Sequence, residues 1–312
     1  MRIVSLLPSA TEIVYALGLG KDLVGVTHEC DFPAGVERKP HLTANLLSPD
    51  LTSAEIDRRV SESMKADAHT IYALDVQLLR ELAPDVILTQ ALCDVCAVPT
   101  SMVEEAVCTM PAGARIVSLD PLSLAAVFAS VEQAGEALGA TERGRAIAEQ
   151  LRSDVTGIEG SIAITERPKV LAAEWLDPVY CGGHWVPEMI AAAGGRDMFG
   201  TPAEPSHPLT WDEIASKDPD VIVLMPCGFN AHDVVARYRE IASASSFHAL
   251  RAVREREVYA VDATSYFSRP GPRLVQGTRI LASIFRGERT VQDVPRGVVF
   301  KLEGNGRFEP WR

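Results

Sequence analysis

Several things are missing from this chain, and each absence removes a class of function. No apolar run approaches the roughly 18 residues a transmembrane helix needs, so membrane insertion is excluded as a reading. There is no Gly-x-Ser-x-Gly elbow, phosphate-cradling P-loop or Gly-x-Gly-x-x-Gly fingerprint, which leaves nucleophilic catalysis and nucleotide chemistry weakly supported. Positive charge is short: 30 Lys and Arg face 42 Asp and Glu, a formal net charge of −12. A polyanion binder needs a basic face that releases counterions, so nucleic acid is not an expected partner. The start of the chain shows no secretory pattern, since Met1-Arg2 runs directly into Ile3-Val4-Ser5-Leu6-Leu7 and then Pro8. The expectation from this is a soluble cytoplasmic protein whose six cysteines are mostly reduced thiols.

What is present is an alternation of short apolar runs with helical patterns across 312 residues, enough chain for two cores. The first series of runs is Ile3–Leu7, Leu23–Val26, Val86–Thr89 and Arg115–Leu119; the second is Val170–Ala173, Val221–Met225 and Val258–Val261. Strand–helix alternation of this kind predicts parallel βαβ units and an α/β fold. Between the series, apolar residues such as Phe128, Val131, Ala134 and Leu138 recur at helical spacing, and Thr141 reads as the N-cap of a second helical run. The predicted organisation is an N-terminal α/β lobe over 1–121, a connecting helical segment over 122–165, and a C-terminal α/β lobe with tail over 166–312. Residues 48–75 read as a helical insertion in the first lobe, with Ile56, Val60 and Met64 on one face. The tail from Gly287 is expected to drape over the second lobe.

Ligands of open α/β sheets sit beyond the carboxyl ends of the strands. Ser9 follows the first run, and His28, Glu29 and Cys30 follow the second. Cys93 and Cys96 lie after Val86–Thr89. In the second series, Glu174-Trp175 and Tyr180-Cys181-Gly182-Gly183-His184-Trp185 follow Val170–Ala173, Cys227 and Phe229 follow Val221–Met225, and Tyr266-Phe267 follow Val258–Val261. Five of the six cysteines thus fall just past strand ends, with Cys108 the exception. Neutral imidazole and thiolate suit zinc or a softer transition metal such as cobalt or iron, and Cys93-x-x-Cys96 has chelating or redox spacing. A closed four-ligand site has two tight pairs, however, and the second pair is missing. The candidate metal ligands are therefore His28, Cys30, Cys93, Cys96, Cys181, His184 and Cys227 in some combination. The aromatics Trp175, Tyr180, Trp185, Phe229, Tyr266 and Phe267 offer flat faces for a planar ligand. His41, His69, His207, His232 and His248 show no partner pattern and read as solvated or simply hydrogen-bonded.

These residues also carry a likeness. The opening Arg2-Ile3-Val4-Ser5-Leu6-Leu7-Pro8-Ser9-Ala10-Thr11-Glu12, then Leu17-Gly18-Leu19 and Val24-Gly25-Val26-Thr27, resembles that of bacterial cobalamin- and iron-siderophore-binding proteins. Leu82-Ala83-Pro84-Asp85-Val86-Ile87 and Lys217-Asp218-Pro219-Asp220-Val221-Ile222 resemble that family's strand entries, one per lobe. The likeness implies two parallel-sheet α/β lobes joined by a long rigid backbone helix, with the ligand in a cleft between them. It also implies an exported protein with a glutamate on each lobe that docks on permease arginines. The matching positions here are Gln77 and Asp212, which speaks against permease docking. The tryptophans that flank cobalamin in importers have no first-lobe counterpart, whereas Tyr266-Phe267 falls where the family has an aromatic pair.

Three functions follow in order of preference. The first is a binding protein for a corrinoid such as cobalamin, or a related metal chelate, with Ser9, His28, Glu29, Trp175, Tyr180, His184, Trp185, Phe229, Tyr266 and Phe267 around it. The second is direct binding of a bare transition ion by the Cys and His set. The third is a metal- or thiol-dependent enzyme with Glu29 or Glu174 as general base.

Overall fold

The computed structural model describes residues 1–65, 71–90, 98–110, 113–161, 167–289, 291, 293–304 and 306–311. Its chain separates into two compact units. The first comprises Met1–Leu51, Glu55–Pro121 and Ala125–Leu151; the second comprises Thr52–Ala54, Leu122–Leu124 and Arg152–Arg312. The helical segment expected over 122–165 consists of two helices, Leu124–Ala137 and the 20-residue Thr141–Gly160. The longer one spans about 30 Å at the usual rise and carries the boundary between the units at Leu151 and Arg152. The two helices meet closely at glycines: a Cβ on Gly135 would lie 3.0 Å from the Gly144 Cα.

The first unit holds a four-stranded parallel sheet in the order Leu23–Gly25, Ile3–Ser5, Val86–Thr89, Arg115–Ser118. A separate antiparallel pair, Thr43–Asn45 with Tyr72–Leu74, brackets the expected insertion, whose helix runs Ser53–Lys65. The second unit holds a seven-stranded mixed sheet with Lys169–Leu176, Val221–Leu224 and Val258–Val261 as its parallel centre. Val179–Cys181 pairs antiparallel with Lys169–Leu176 on one side. The tail supplies Val299–Leu302 and Phe308–Pro310, so it extends the sheet by two antiparallel strands, the second at the edge, rather than draping over it.

The repeated Pro-Asp strand entries have a shared physical basis. Each follows a helix, Val76–Leu82 or Trp211–Lys217, that ends on a left-handed residue, Ala83 at φ 41° or Asp218 at φ 40°. Proline cannot extend the helix, and the next residue's carboxylate then binds the first amide of the neighbouring strand. Asp85 accepts from the Arg2 amide at 2.7 Å, and Asp220 accepts from the Lys169 amide at 2.7 Å. One motif therefore sets the register of a central strand pair in each unit. The centres themselves are apolar on both faces, as Val86–Thr89, Val221–Leu224 and Val258–Val261 are buried throughout. This is the pattern of parallel strands covered by helices.

Candidate functional site

At the carboxyl end of the first sheet the structure gathers a polar group around His28. The ring Nδ1 lies 2.7 Å from the Thr43 hydroxyl, and the His28 amide donates to the same oxygen at 3.2 Å. Tyr72 packs its ring 5.7 Å from the imidazole and donates its hydroxyl to Glu29 at 3.0 Å. Cys30 is buried with its sulfur 3.1 Å from the Thr11 hydroxyl. Burial holds His28 below the usual imidazole value, against the pull of Glu29, with His41 adding to the depression. A depressed value keeps the ring neutral at physiological pH, the form that binds a metal. With Nδ1 fixed on Thr43, the second ring nitrogen has no partner among the described residues. Ser9 is buried in the first turn of the helix Pro8–Ala16. Cys93 and Cys96 lie outside the described residues.

The second unit brings Trp175, Tyr180 and Phe229 together. Trp175 and Tyr180 are cross-strand partners, and the Trp175 and Phe229 rings stand 5.9 Å apart. The Arg237 guanidinium caps Phe229 at 4.6 Å. Trp175 spends its indole N–H on the Ser53 carbonyl at 3.1 Å, and Glu240 accepts from the Ser53 amide at 3.0 Å. The piece Thr52–Ala54 is thereby part of this unit, a contact that no local pattern announces.

His184 takes a left-handed backbone at φ 52°, its amide donates to the Glu204 carbonyl at 2.7 Å, and burial depresses its imidazole. Trp185 and Phe267 are packing residues rather than open faces. They are 6% and 1% exposed, and the Trp185 indole N–H donates to the Phe267 carbonyl at 2.7 Å. Tyr266 is buried too, with the Arg273 guanidinium 5.7 Å from its ring centre.

The second unit also places one candidate thiol and one candidate carboxyl within strands, not after them. Cys181 does not follow a strand but ends one, inside the apolar core. Desolvation pushes its thiol up to about 11, so it acts as a small hydrophobe beside His207, whose Nδ1 is 3.2 Å away. His207 is exposed and its ring makes this hydrogen bond, within the expectation of a solvated or simply hydrogen-bonded ring. Glu174 lies within the strand Lys169–Leu176, and desolvation pushes its carboxyl up to about 8. A carboxyl raised in this way is mostly protonated at neutral pH. It accepts from the Gly183 amide at 3.1 Å, tying down the loop that carries His184.

Among the described residues no three His, Cys, Asp or Glu side chains are placed to hold a metal ion. His28 and Cys30 belong to the first unit, and Cys181, His184 and Cys227 to the second. No disulfide joins the described cysteines Cys30, Cys108, Cys181 and Cys227.

The first unit thus carries an oriented imidazole at the carboxyl end of its sheet, and the second carries an aromatic group at the carboxyl end of its parallel centre. The chain belongs to the periplasmic binding protein family, whose model matches residues 3–264. It is 28% identical over 300 residues to the ABC transporter substrate-binding lipoprotein YvrC of Bacillus subtilis (strain 168), covering 90% of this chain and 78% of that one. It is 21% identical over 274 residues to the vitamin B12-binding protein of Vibrio parahaemolyticus, covering 87% and 84%. Among solved structures, the periplasmic heme-binding protein RhuT from Roseiflexus sp. RS-1 superposes with a TM-score of 0.67 at 23% identity, over 92% of this chain and 98% of that one. At that identity the likeness is one of fold. The comparisons overturn the cytoplasmic expectation: the relatives are described as a lipoprotein and as periplasmic proteins, which points outside the cytoplasm. The reduced-thiol reading, which rested on the compartment, loses its basis with it.

Proposed function

We propose that this chain is an extracytoplasmic binding protein for a planar metal chelate, with a corrinoid such as cobalamin as the preferred ligand. The observation that carries the reading is His28: a neutral imidazole at a strand end, oriented through Nδ1 by Thr43, with its other nitrogen unpartnered among the described residues. Metal-ligating histidines have their second ring nitrogen hydrogen-bonded, which holds the ring plane. Trp175, Tyr180 and Phe229 supply aromatic surface at the ligand end of the second sheet, and flat faces suit a macrocycle. Relatives named for vitamin B12 and heme bind chelates of this shape.

The test is titration of the purified protein with aquocobalamin and with hemin, followed by visible absorbance. Wild type is expected to give a saturable spectral change that His28→Ala loses and that the double variant Cys93→Ser/Cys96→Ser keeps. An unchanged His28→Ala beside a silent cysteine variant would instead favour direct ion binding by thiolates.

A further inference from the structure

A cavity lies in the second unit at the opposite end of its sheet from Glu174 and Cys227. It opens at the amino-terminal starts of the strands Lys169–Leu176, Val221–Leu224 and Val258–Val261, where Pro168, Val221 and Tyr259 help to line it. Its volume is about 640 Å³, within the range of small-molecule sites, about 300–1,000 Å³. Five basic and three acidic side chains line it, an excess of positive charge in a protein whose net charge is −12.

Most of these charges neutralise one another. Asp220 pairs with Arg251 and accepts the Lys169 amide at 2.7 Å. Glu257 takes the Lys301 ammonium at 2.7 Å and the Tyr259 hydroxyl at 2.7 Å. Arg286 meets Glu288 at 3.0 Å. Arg167 and Arg289 are different: neither has a hydrogen-bond or ion-pair partner among the described residues.

The floor beneath them is rigid. Tyr259 and Trp311 are 1% and 4% exposed and pack edge to face at 5.4 Å, with the Lys301 ammonium 5.1 Å from the Tyr259 ring centre. The Arg289 charge reaches the Tyr259 phenol, opposing the upward push of burial and Glu257. A guanidinium presents a planar fork matched to two oxygens of a phosphate or carboxylate, and two forks without partners among the described residues, on a packed floor, suit a ligand with more than one anionic group.

We propose that Arg167 and Arg289, with Arg286 beside them, bind a small multivalent oxyanion carrying phosphate or carboxylate groups, at a site separate from the chelate site and independent of it. Calorimetric titration of the full chain with pyrophosphate and with citrate, at low and high salt, tests this. Wild type is expected to bind one equivalent of at least one of the two, more weakly as salt rises.

Arg167→Ala/Arg289→Ala is expected to lose about tenfold or more in affinity, about 1.4 kcal/mol, while its chelate titration stays that of wild type. The polar double variant Arg167→Gln/Arg289→Gln, checked by thermal melting, guards against a folding defect and is expected to show the same loss. Arg58→Ala, on the helix Ser53–Lys65, removes one positive charge elsewhere and is expected to leave anion affinity unchanged. The proposal is overturned by no saturable heat with either anion, by equal affinity in the double variants, or by an equal loss in Arg58→Ala. Sedimentation with anionic phospholipid vesicles in place of anion binding would assign the patch to a membrane surface and overturn it as well.

Discussion

The Nδ1 of His28 and the hydroxyl of Thr43 meet at 2.7 Å, and this contact fixes which ring nitrogen can face a ligand. Thr43→Val keeps the shape of the side chain and removes the oxygen. The ring then has no partner at Nδ1 and is free to flip. Loss of such an orienting partner costs about 10- to 100-fold in metal affinity. Thr43→Val is therefore expected to weaken chelate binding by that order, whereas Thr43→Ser is expected to retain most of it. Absorbance titrations of both variants check this, and equal affinity in wild type and Thr43→Val would remove His28 from the ligand.

Glu174 makes stability depend on pH in a direction opposite to most carboxylates. Its folded value of about 8 lies above the ordinary 4.5, chiefly through desolvation, with Cys227 and Asp197 adding to it and the Gly183 amide opposing it. The folded state thus holds a proton that the unfolded chain releases. The contribution is complete below about pH 4.5 and is lost as pH rises through about 8. Raising the pH from about 6 to about 8 is expected to cost wild type on the order of 2 kcal/mol from this group. Glu174→Gln stays neutral and is expected to remove most of that slope. Urea unfolding at the two pH values measures it, and parallel losses in both proteins would refute the assignment.

Glycine at position 183 is required by a close approach. A Cβ there would run into the backbone of Ser206 and Pro205, with neither a side chain to move aside nor a cavity to enter. The Gly183 amide also donates to Glu174, and His184 follows it in a left-handed conformation. Gly183→Ala is expected to destabilise the protein by about 1–3 kcal/mol through overpacking. A change in the histidine environment should accompany it, read from the His184 ring resonances. A melting temperature equal to that of wild type would show that the loop has room to spare.

The central strands and the two Pro-Asp entries were legible because each is a local pattern: an apolar run, a helix stop and a carboxylate within a few residues of one another. The partners of His28 were not. Thr43 and Tyr72 sit on strands of three residues each, too short to show a period, and they come together only through antiparallel pairing across the intervening helix. The same holds for Cys181, whose three-residue strand Val179–Cys181 reads locally as a loop. Trp175, expected just past a strand, lies within one, and its bond to Ser53 joins positions 122 residues apart. Burial also separates aromatics that look alike in sequence, since Phe229 keeps part of its surface while Phe267 is 1% exposed.

The glutamates that the resemblance implies for permease docking fall at two exposed positions, Gln77 and Asp212. The resemblance to cobalamin importers implies a glutamate at each, and neither site has a ready substitute. Gln77 donates to Glu81 at 3.0 Å, so the nearest carboxylate is already engaged. Glu213, next to Asp212, is held in a capping box by the Thr210 amide at 2.8 Å and the Thr210 hydroxyl at 2.7 Å. An amide cannot replace a carboxylate in a charge-assisted pair with arginine, and Asp212 is one methylene short. Removing one partner of a desolvated charge pair costs about 2–5 kcal/mol, enough to abolish a modest docking affinity. Wild type is therefore expected to form no salt-sensitive complex with a cobalamin permease, and Gln77→Glu/Asp212→Glu is expected to gain one. Pull-downs at low and high salt with the detergent-solubilised permease decide the matter: tight, salt-sensitive capture of the wild-type chain would show that docking here uses other residues.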